Sequence, residues 1–426
     1  MKQFMKIFGI LTLLATIVSG CSNQANNEEE IAILAENTIN YIIERNFDQL
    51  YDNIKLTENI EKNNFSLSMQ QGLAMYTSAE SSISCELINK DYSDKYQYNY
   101  RCQGDYYPFI IKQTILENQD YSELSIAVDY SYLDSSYQQE EIKFNDLSGY
   151  LMLPHDQENY DVVILVGGSG PTDKDSTIGP NKLFLEISEH LASNGIASFR
   201  FNKRGLVAPE TLNSELTVNE EFVNDVIDIY KNLNTNDNIN NIYILGHSLG
   251  AMLIPRIAEY VDVDGYLMLA APAIKLQDLM VEQTKTLMDN DQTLDSAQKS
   301  QIIETYQTMA DNISNLTAES DTPTIMMFNI NKEYWLDLND YDQVSAACNI
   351  EKPVFIVNGE SDYQVPLNNF EAYQQKCISA NFTFKKYPET NHIFTKTGIG
   401  PSEYLIKSNV NSELLNDIVT FIKEKN

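Results

Sequence analysis

The residues of this chain best placed to do chemistry begin with Ser248, in Gly246-His247-Ser248-Leu249-Gly250. An apolar run precedes this pentapeptide and a helix-like segment follows it. Gly-x-Ser-x-Gly in that setting is the sequence form of a nucleophile elbow, a strained strand-to-helix turn that presents a serine hydroxyl. The flanking glycines have a steric reason: strand and helix backbones come close there, and a Cβ at either position would clash. The pattern alone is weak, since chance supplies it in about one chain of this length in twenty. The chemistry it implies is attack on an acyl carbon, and that needs a base to take the hydroxyl proton.

The chain has four histidines. His155 falls in a loop before an apolar strand, His190 in the middle of a helix, and His247 inside the elbow with its ring directed away from the serine. His392, in the loop after the last strand, is the histidine that follows the elbow. Chain order and elimination therefore select His392 as the base. An acid between the two would fix the imidazole tautomer and stabilise the imidazolium. The strand 354–357 runs into Asn358-Gly359-Glu360-Ser361-Asp362; Asp362, on the loop proper, is the first choice and Glu360 the second. An oxyanion needs two backbone N–H donors. One is expected from Leu249, directly after the serine, and the other from Ser169 in Gly167-Gly168-Ser169-Gly170-Pro171, with Gly168 as the alternative. That glycine-rich loop lacks the Gly-Lys-Ser/Thr ending of a phosphate cradle. No motif calls for a cofactor or a metal ion. Asp173, Lys174, Asp175, Lys203 and Arg204 read as an ion-paired scaffold for these loops.

The elements that must position these residues alternate from residue 139 to the end. A lead-in antiparallel pair (142–144 and 147–153) precedes the fully apolar strand 162–166, of the kind buried on both faces of a parallel sheet. Strands at 196–201, 242–245, 266–269, 354–357 and 382–387 alternate with helices at 182–194, 220–233 and 411–424. The expectation is an α/β fold, a doubly wound and mostly parallel sheet. Residues 31–138 read differently: two helical stretches, then Tyr-rich alternating strands, which together suggest a small α+β domain. Its stripe of Tyr96, Tyr98 and Tyr100 reads as sheet packing.

The N-terminus bears on compartment. Lys2 and Lys6 precede an apolar stretch over 7–18, too short to span a bilayer, which ends in Val18-Ser19-Gly20-Cys21. Residues 1–21 thus read as a lipoprotein signal peptide with Cys21 as the acylated residue, and 22–30 as a polar tether. The expected location is the extracytoplasmic face of the cell membrane, held by lipid. A formal net charge of −32 leaves no electrostatic footprint for nucleic acid. The five cysteines less Cys21 leave an even number in an oxidising compartment. Folding a hairpin about Ser93 and Asp94 sets Cys85 opposite Cys102, where a bridge is geometrically feasible. Cys348 and Cys377, at the two ends of a βα unit, return to one edge of the sheet, where they could pair too; buried free thiols are the alternative for both pairs.

The motifs in sequence order resemble a known group, the bacterial α/β hydrolases described as serine esterases or peptidase-like hydrolases. The resemblance rests on Gly168-Ser169-Gly170-Pro171-Thr172-Asp173-Lys174-Asp175, Lys203-Arg204-Gly205, the elbow, Tyr334-Trp335-Leu336-Asp337-Leu338, Asp362-Tyr363-Gln364-Val365 and Asn391-His392. Ala251 departs from it, where relatives often carry a third glycine. The first domain resembles the nuclear-transport-factor-like domains that precede some exported hydrolases. The family resemblance implies the triad Ser248, Asp362 and His392. It also implies that the insertion at about 272–349, which carries Met280, Met288, Met309, Met326 and Met327, is a helical cap over the site. Tyr334 and Trp335 are its candidate pocket walls. The implied activity is hydrolysis of a small ester through an acyl-enzyme, with a peptide substrate as the alternative. A binding protein with a vestigial hydrolase fold is disfavoured, because no triad position is substituted.

Overall fold

The computed structural model describes residues 22–92, 95–132, 137–144, 147–155, 157–208, 216–320, 330–396 and 400–424. The signal segment with Cys21, the hairpin tip at Ser93 and Asp94, and Met326 and Met327 lie outside them. The chain divides into two compact units, Met1–Ser131 and Tyr132–Asn426. The division falls several residues before 138/139, because the strand Tyr137–Phe144 pairs along its whole length with Leu147–Pro154 and so belongs to the second unit's sheet.

In the first unit, helices Ser22–Ile43, Phe47–Asn53 and Lys62–Ala74 accompany a five-stranded sheet. The expected tether at 22–30 is instead the first part of a helix running on to Ile43. Ala and Glu are strong helix formers, and Ile31, Ala35, Ile39 and Ile42 bury one face of it. Tyr96, Tyr98 and Tyr100 all point to the buried side of their strand, as a period of two requires. A disulfide joins Cys85 to Cys102, which face each other across the hairpin. The symmetry about residues 93 and 94 holds only as far as Leu87 and Tyr100, where a bulge shifts the register.

The second unit is built on eight strands: β1 Tyr137–Phe144, β2 Leu147–Pro154, β3 Tyr160–Val166, β4 Ile196–Phe201, β5 Ile239–His247, β6 Gly265–Leu269, β7 Val354–Gly359 and β8 Phe382–Tyr387. Their spatial order is β1-β2-β4-β3-β5-β6-β7-β8. From β4 to β8 every neighbouring pair is parallel, and β1 and β2 join antiparallel. β3 is buried from Val162 to Val166 and β6 throughout, so hydrophobic burial from both faces fixes the middle of the sheet. The chain leaves β3 for β4 on one side and returns to β5 on the other. This reversal opens a crevice beyond the carboxyl ends of β3 and β5, where doubly wound sheets bind ligands.

Between β6 and β7 lie helices Leu276–Asn290, Ser296–Ser314, Lys332–Asp340 and Gln343–Cys348, the expected insertion. A second disulfide joins Cys348, ahead of β7, to Cys377, after the helix that follows β7. The loop after β3 is anchored by buried charge. Arg200 on β4 donates to Asp175, Lys182 lies 3.9 Å from the same carboxylate, and all three side chains are almost wholly out of solvent. Removing the carboxylate strands buried cations, so Asp175→Ala should lower the unfolding free energy by about 3–5 kcal/mol. Urea denaturation followed by circular dichroism measures this, and an unchanged midpoint would exclude it.

Candidate active site

β5 ends at His247 and the backbone turns at Ser248, with φ 55° and ψ −122°. A positive φ on a residue with a Cβ costs about 1–3 kcal/mol and persists only where surrounding contacts impose it. Here Ser248 N–H donates to Leu269 O at 2.9 Å, and Ser248 O accepts from Met252 N–H at 3.0 Å. The glycines behave as expected, with one refinement. A Cβ at Gly246 would lie 2.6 Å from the backbone of Gly250, within the elbow itself. A Cβ at Gly250 would lie 2.5 Å from Val166 O, against the end of the neighbouring strand β3. Gly250 thus lets the elbow dock on the strand that carries the glycine-rich loop.

Asp362 and His392 meet. The turn after β7 holds Asp362 with one carboxylate oxygen accepting from Gln364 N–H and Val365 N–H, both at 2.8 Å. The other oxygen lies 2.8 Å from His392 Nδ1, and both residues are buried. A carboxylate only accepts, so Nδ1 carries the proton between them and Nε2 is the ring nitrogen left for proton exchange. The second-choice acid, Glu360, is instead paired with Lys386 at 3.0 Å. Glu389 and Phe394, on either side of His392, both have positive φ. Asn391 ties the loop down by accepting from Ile393 N–H and Thr395 N–H.

His247 has a part that the sequence reading did not give it. Its Nε2 lies 2.9 Å from the carbonyl oxygen of His392, and the two rings are 4.7 Å apart between centroids. The elbow and the His392 loop therefore meet through the residue next to the serine. Its place in the elbow was legible, but a partner 145 residues away was not. Burial, and secondarily the neighbouring His392, push its pKa down to about 3.

Ser248 is half-buried and opens on a cavity of about 770 Å³, which Ser169 and Leu249 also line. Leu249 begins a helix, so its N–H has no intrahelical acceptor. Most of the wall is apolar, with Leu216, Leu276, Leu279, Met280 and Ile330, and it carries Glu221 and Tyr334 as well. Of the two candidate walls only Tyr334 lines the cavity. Trp335 is fully buried in the hydrophobic core, one helical step of about 100° further round. Among the described residues, no cluster of three or more potential metal ligands occurs.

Fold and site together define an α/β hydrolase. A family model described as serine aminopeptidase, S33, matches residues 181–396, about half of the chain. The esterase EstD of Thermotoga maritima is 33% identical over 299 residues, spanning 68% of this chain and 69% of that protein. Among solved structures, Est1E from Butyrivibrio proteoclasticus is 15% identical with a TM-score of 0.43, and the match covers 67% of this chain and 98% of that one. Proline iminopeptidase from Mycobacterium smegmatis is 14% identical with a TM-score of 0.42, over 68% and 98%. The chain belongs to the serine aminopeptidase S33 family of α/β hydrolases and is a serine hydrolase.

An unfolded histidine titrates near 6.5, so between about pH 6.5 and 3 the unfolded chain binds a proton that folded His247 refuses. Stability present above that window is lost as the pH falls through it. A His247→Gln variant should show a flatter dependence of unfolding free energy on pH, by up to ~1.4 kcal/mol per pH unit. Denaturant titrations at a series of pH values between about 4 and 7 measure the slope, and an unchanged slope would reject the assignment.

Proposed function

We propose that the protein is a lipid-anchored, extracytoplasmic carboxylesterase that cleaves small neutral esters through an acyl-enzyme on Ser248. The observation that carries this reading is the Asp362–His392 pair, on a loop that meets the elbow through His247, together with an elbow serine that opens on a largely apolar cavity. Ser248 Oγ attacks the ester carbonyl while His392 Nε2 takes its proton, and Asp362 holds the tautomer and balances the imidazolium. The tetrahedral oxyanion accepts from the N–H groups of Ser169 and Leu249. Collapse expels the alcohol, which takes its proton from His392. Water activated by the same nitrogen then releases the acid and frees Ser248.

The cavity wall favours ester over aminoacyl substrates. An aminopeptidase needs a carboxylate free to pair with the substrate's ammonium group. Glu221 is the carboxylate among the described lining residues, and Lys203 and Tyr334 already engage both of its oxygens. An apolar wall suits an uncharged acyl chain. The family's description keeps aminopeptidase activity as the second reading. The anchor reading rests on the residues from Lys2 to Cys21, and the two disulfides suit an oxidising compartment.

Ser248→Ala and Asp362→Asn should each lower kcat/KM on a short-chain acyl ester by about 10⁴-fold or more. A fluorophosphonate probe should label wild-type protein at Ser248. A panel of acyl esters against aminoacyl amides separates the two readings: faster turnover of the amides would overturn the esterase. Metabolic labelling with a fatty acid should mark the full chain in its host and be lost in Cys21→Ala; labelling retained in that variant would reject the anchor.

A further inference from the structure

Lys203 is a buried cation that the triad does not use. Its side chain is 3% exposed. The ammonium group has three protons and three oxygen partners: Gly168 O at 2.9 Å, Gly170 O at 2.8 Å and Glu221 Oε1 at 2.7 Å. The Phe222 ring lies beneath it, with its centroid 3.8 Å away. The other oxygen of Glu221 accepts from Tyr334 OH at 2.7 Å. Glu221 sits in a π-helical turn, Asn219–Val223, a form that recurs at functional sites. The chain of contacts thus runs from the cap helix Lys332–Asp340 to the glycine-rich loop.

The direction of each peptide unit in that loop follows from what its carbonyl touches. In a trans peptide, C=O and N–H point opposite ways. Gly167 O lies against Gly250, so the N–H of Gly168 points away from the elbow. Gly168 O is held by Lys203, so the N–H of Ser169 points away from Lys203. Ser169 lines the cavity with Ser248, and a Cβ at Gly168 would lie 3.7 Å from Ser248 Oγ. Gly170 O is also held by Lys203, and the nitrogen of that peptide belongs to Pro171, which has no proton to leave stranded. Gly170 itself has φ +81°, a conformation suited to glycine.

We infer that Lys203, braced by Glu221 and Tyr334, is a positioning residue that turns the Ser169 N–H into the oxyanion site and makes that site depend on the cap. The inference deepens the reading of Ser248 as nucleophile and rests on it. It also selects Ser169 over Gly168 as the donor. Lys203 touches no reacting atom. Its effect falls on the charged tetrahedral state, in which the oxyanion draws on the donor more strongly than the ground-state carbonyl does.

The test uses the full chain and two variants. Lys203→Met combined with Glu221→Gln removes both buried charges together, so neither is left alone. Tyr334→Phe removes only the cap's hold on Glu221. On a short-chain acyl ester the double variant should lose about 10- to 100-fold in kcat, short of the ~10²–10³ for outright loss of a donor. KM should move by less than about threefold, because the contact matters in the transition state. The rate of fluorophosphonate labelling at Ser248 should fall in proportion to kcat, since phosphonylation also builds negative charge in the hole. Tyr334→Phe should show the same split at smaller size. A double variant that melts like wild type and keeps kcat and labelling rate within about twofold would overturn the inference. If the double variant does not fold, unchanged rates in Tyr334→Phe overturn it. Failure of wild-type protein to label at Ser248 would instead overturn the reading of the nucleophile.

Discussion

The contact on which the site depends is the one between Gly250 and the end of β3. Ser248 can face the crevice only if the helix after it starts immediately. That start drives the helix backbone into the carbonyls of Val166 and Gly167. With no Cβ in the way, elbow and glycine-rich loop form one packed unit. The two prospective oxyanion donors, on Leu249 and Ser169, are then set by the same contact. Strain at Ser248 is the local cost, of about 1–3 kcal/mol. The hydrogen bond from its N–H to Leu269 O and the burial of β3, β5 and β6 offset it.

Around that contact the polar groups are arranged so that, among the described residues, no formal charge faces the cavity unpaired. Asp362 is engaged by two backbone N–H groups and His392. Glu221 is engaged by Lys203 and Tyr334. His247, packed against His392, is kept neutral by burial, so it supports the His392 loop without repelling the imidazolium that catalysis would form. A second cation 4.7 Å from that ring would disfavour proton uptake by His392. A neutral His247 therefore follows from the chemistry as well as from the packing.

How much of this was legible in the sequence depended on the range of the interaction. The order of the strands, the elbow and the choice of Asp362 over Glu360 followed from local pattern and chain order, while β1 and β5 run several residues beyond their apolar segments. Cys85 and Cys102 were paired on a hairpin symmetry that holds at their end of the strands; nearer the tip the register differs by one residue, and the bulge between Leu87 and Asn89 brings the two cysteines opposite each other. The pairing of Tyr334 with Trp335 as walls failed for a geometric reason. Neighbours on a helix point about 100° apart, so one faced the cavity and the other the core. The helix over the expected tether was missed because its acidic composition was weighed without the apolar face that begins at Ile31. The contacts of His247 with His392, and of Lys203 with Gly168 and Glu221, join residues far apart in the chain, and no spacing rule reaches them. The motif Lys203-Arg204-Gly205 was visible, but its meaning required the loop it holds.

That loop also explains why a cap and an oxyanion site should be linked at all. Donors fixed in place beforehand need no reorganisation as charge develops, so whatever holds the Ser169 peptide bears on the rate. In this chain the Ser169 peptide is turned by Lys203, Lys203 is neutralised by Glu221, and Glu221 is completed by a tyrosine on the cap helix that also lines the cavity. Each link is a buried charge or hydrogen bond, costly to leave half-made. The full set of contacts is therefore made only with the cap helix seated over the cavity. In the structure that helix is already seated, and the Tyr334 it carries lines the wall an acyl chain would meet. The wall that would meet the acyl chain and the proposed oxyanion donor are therefore joined through one set of buried groups, and a change at either end is felt at the other.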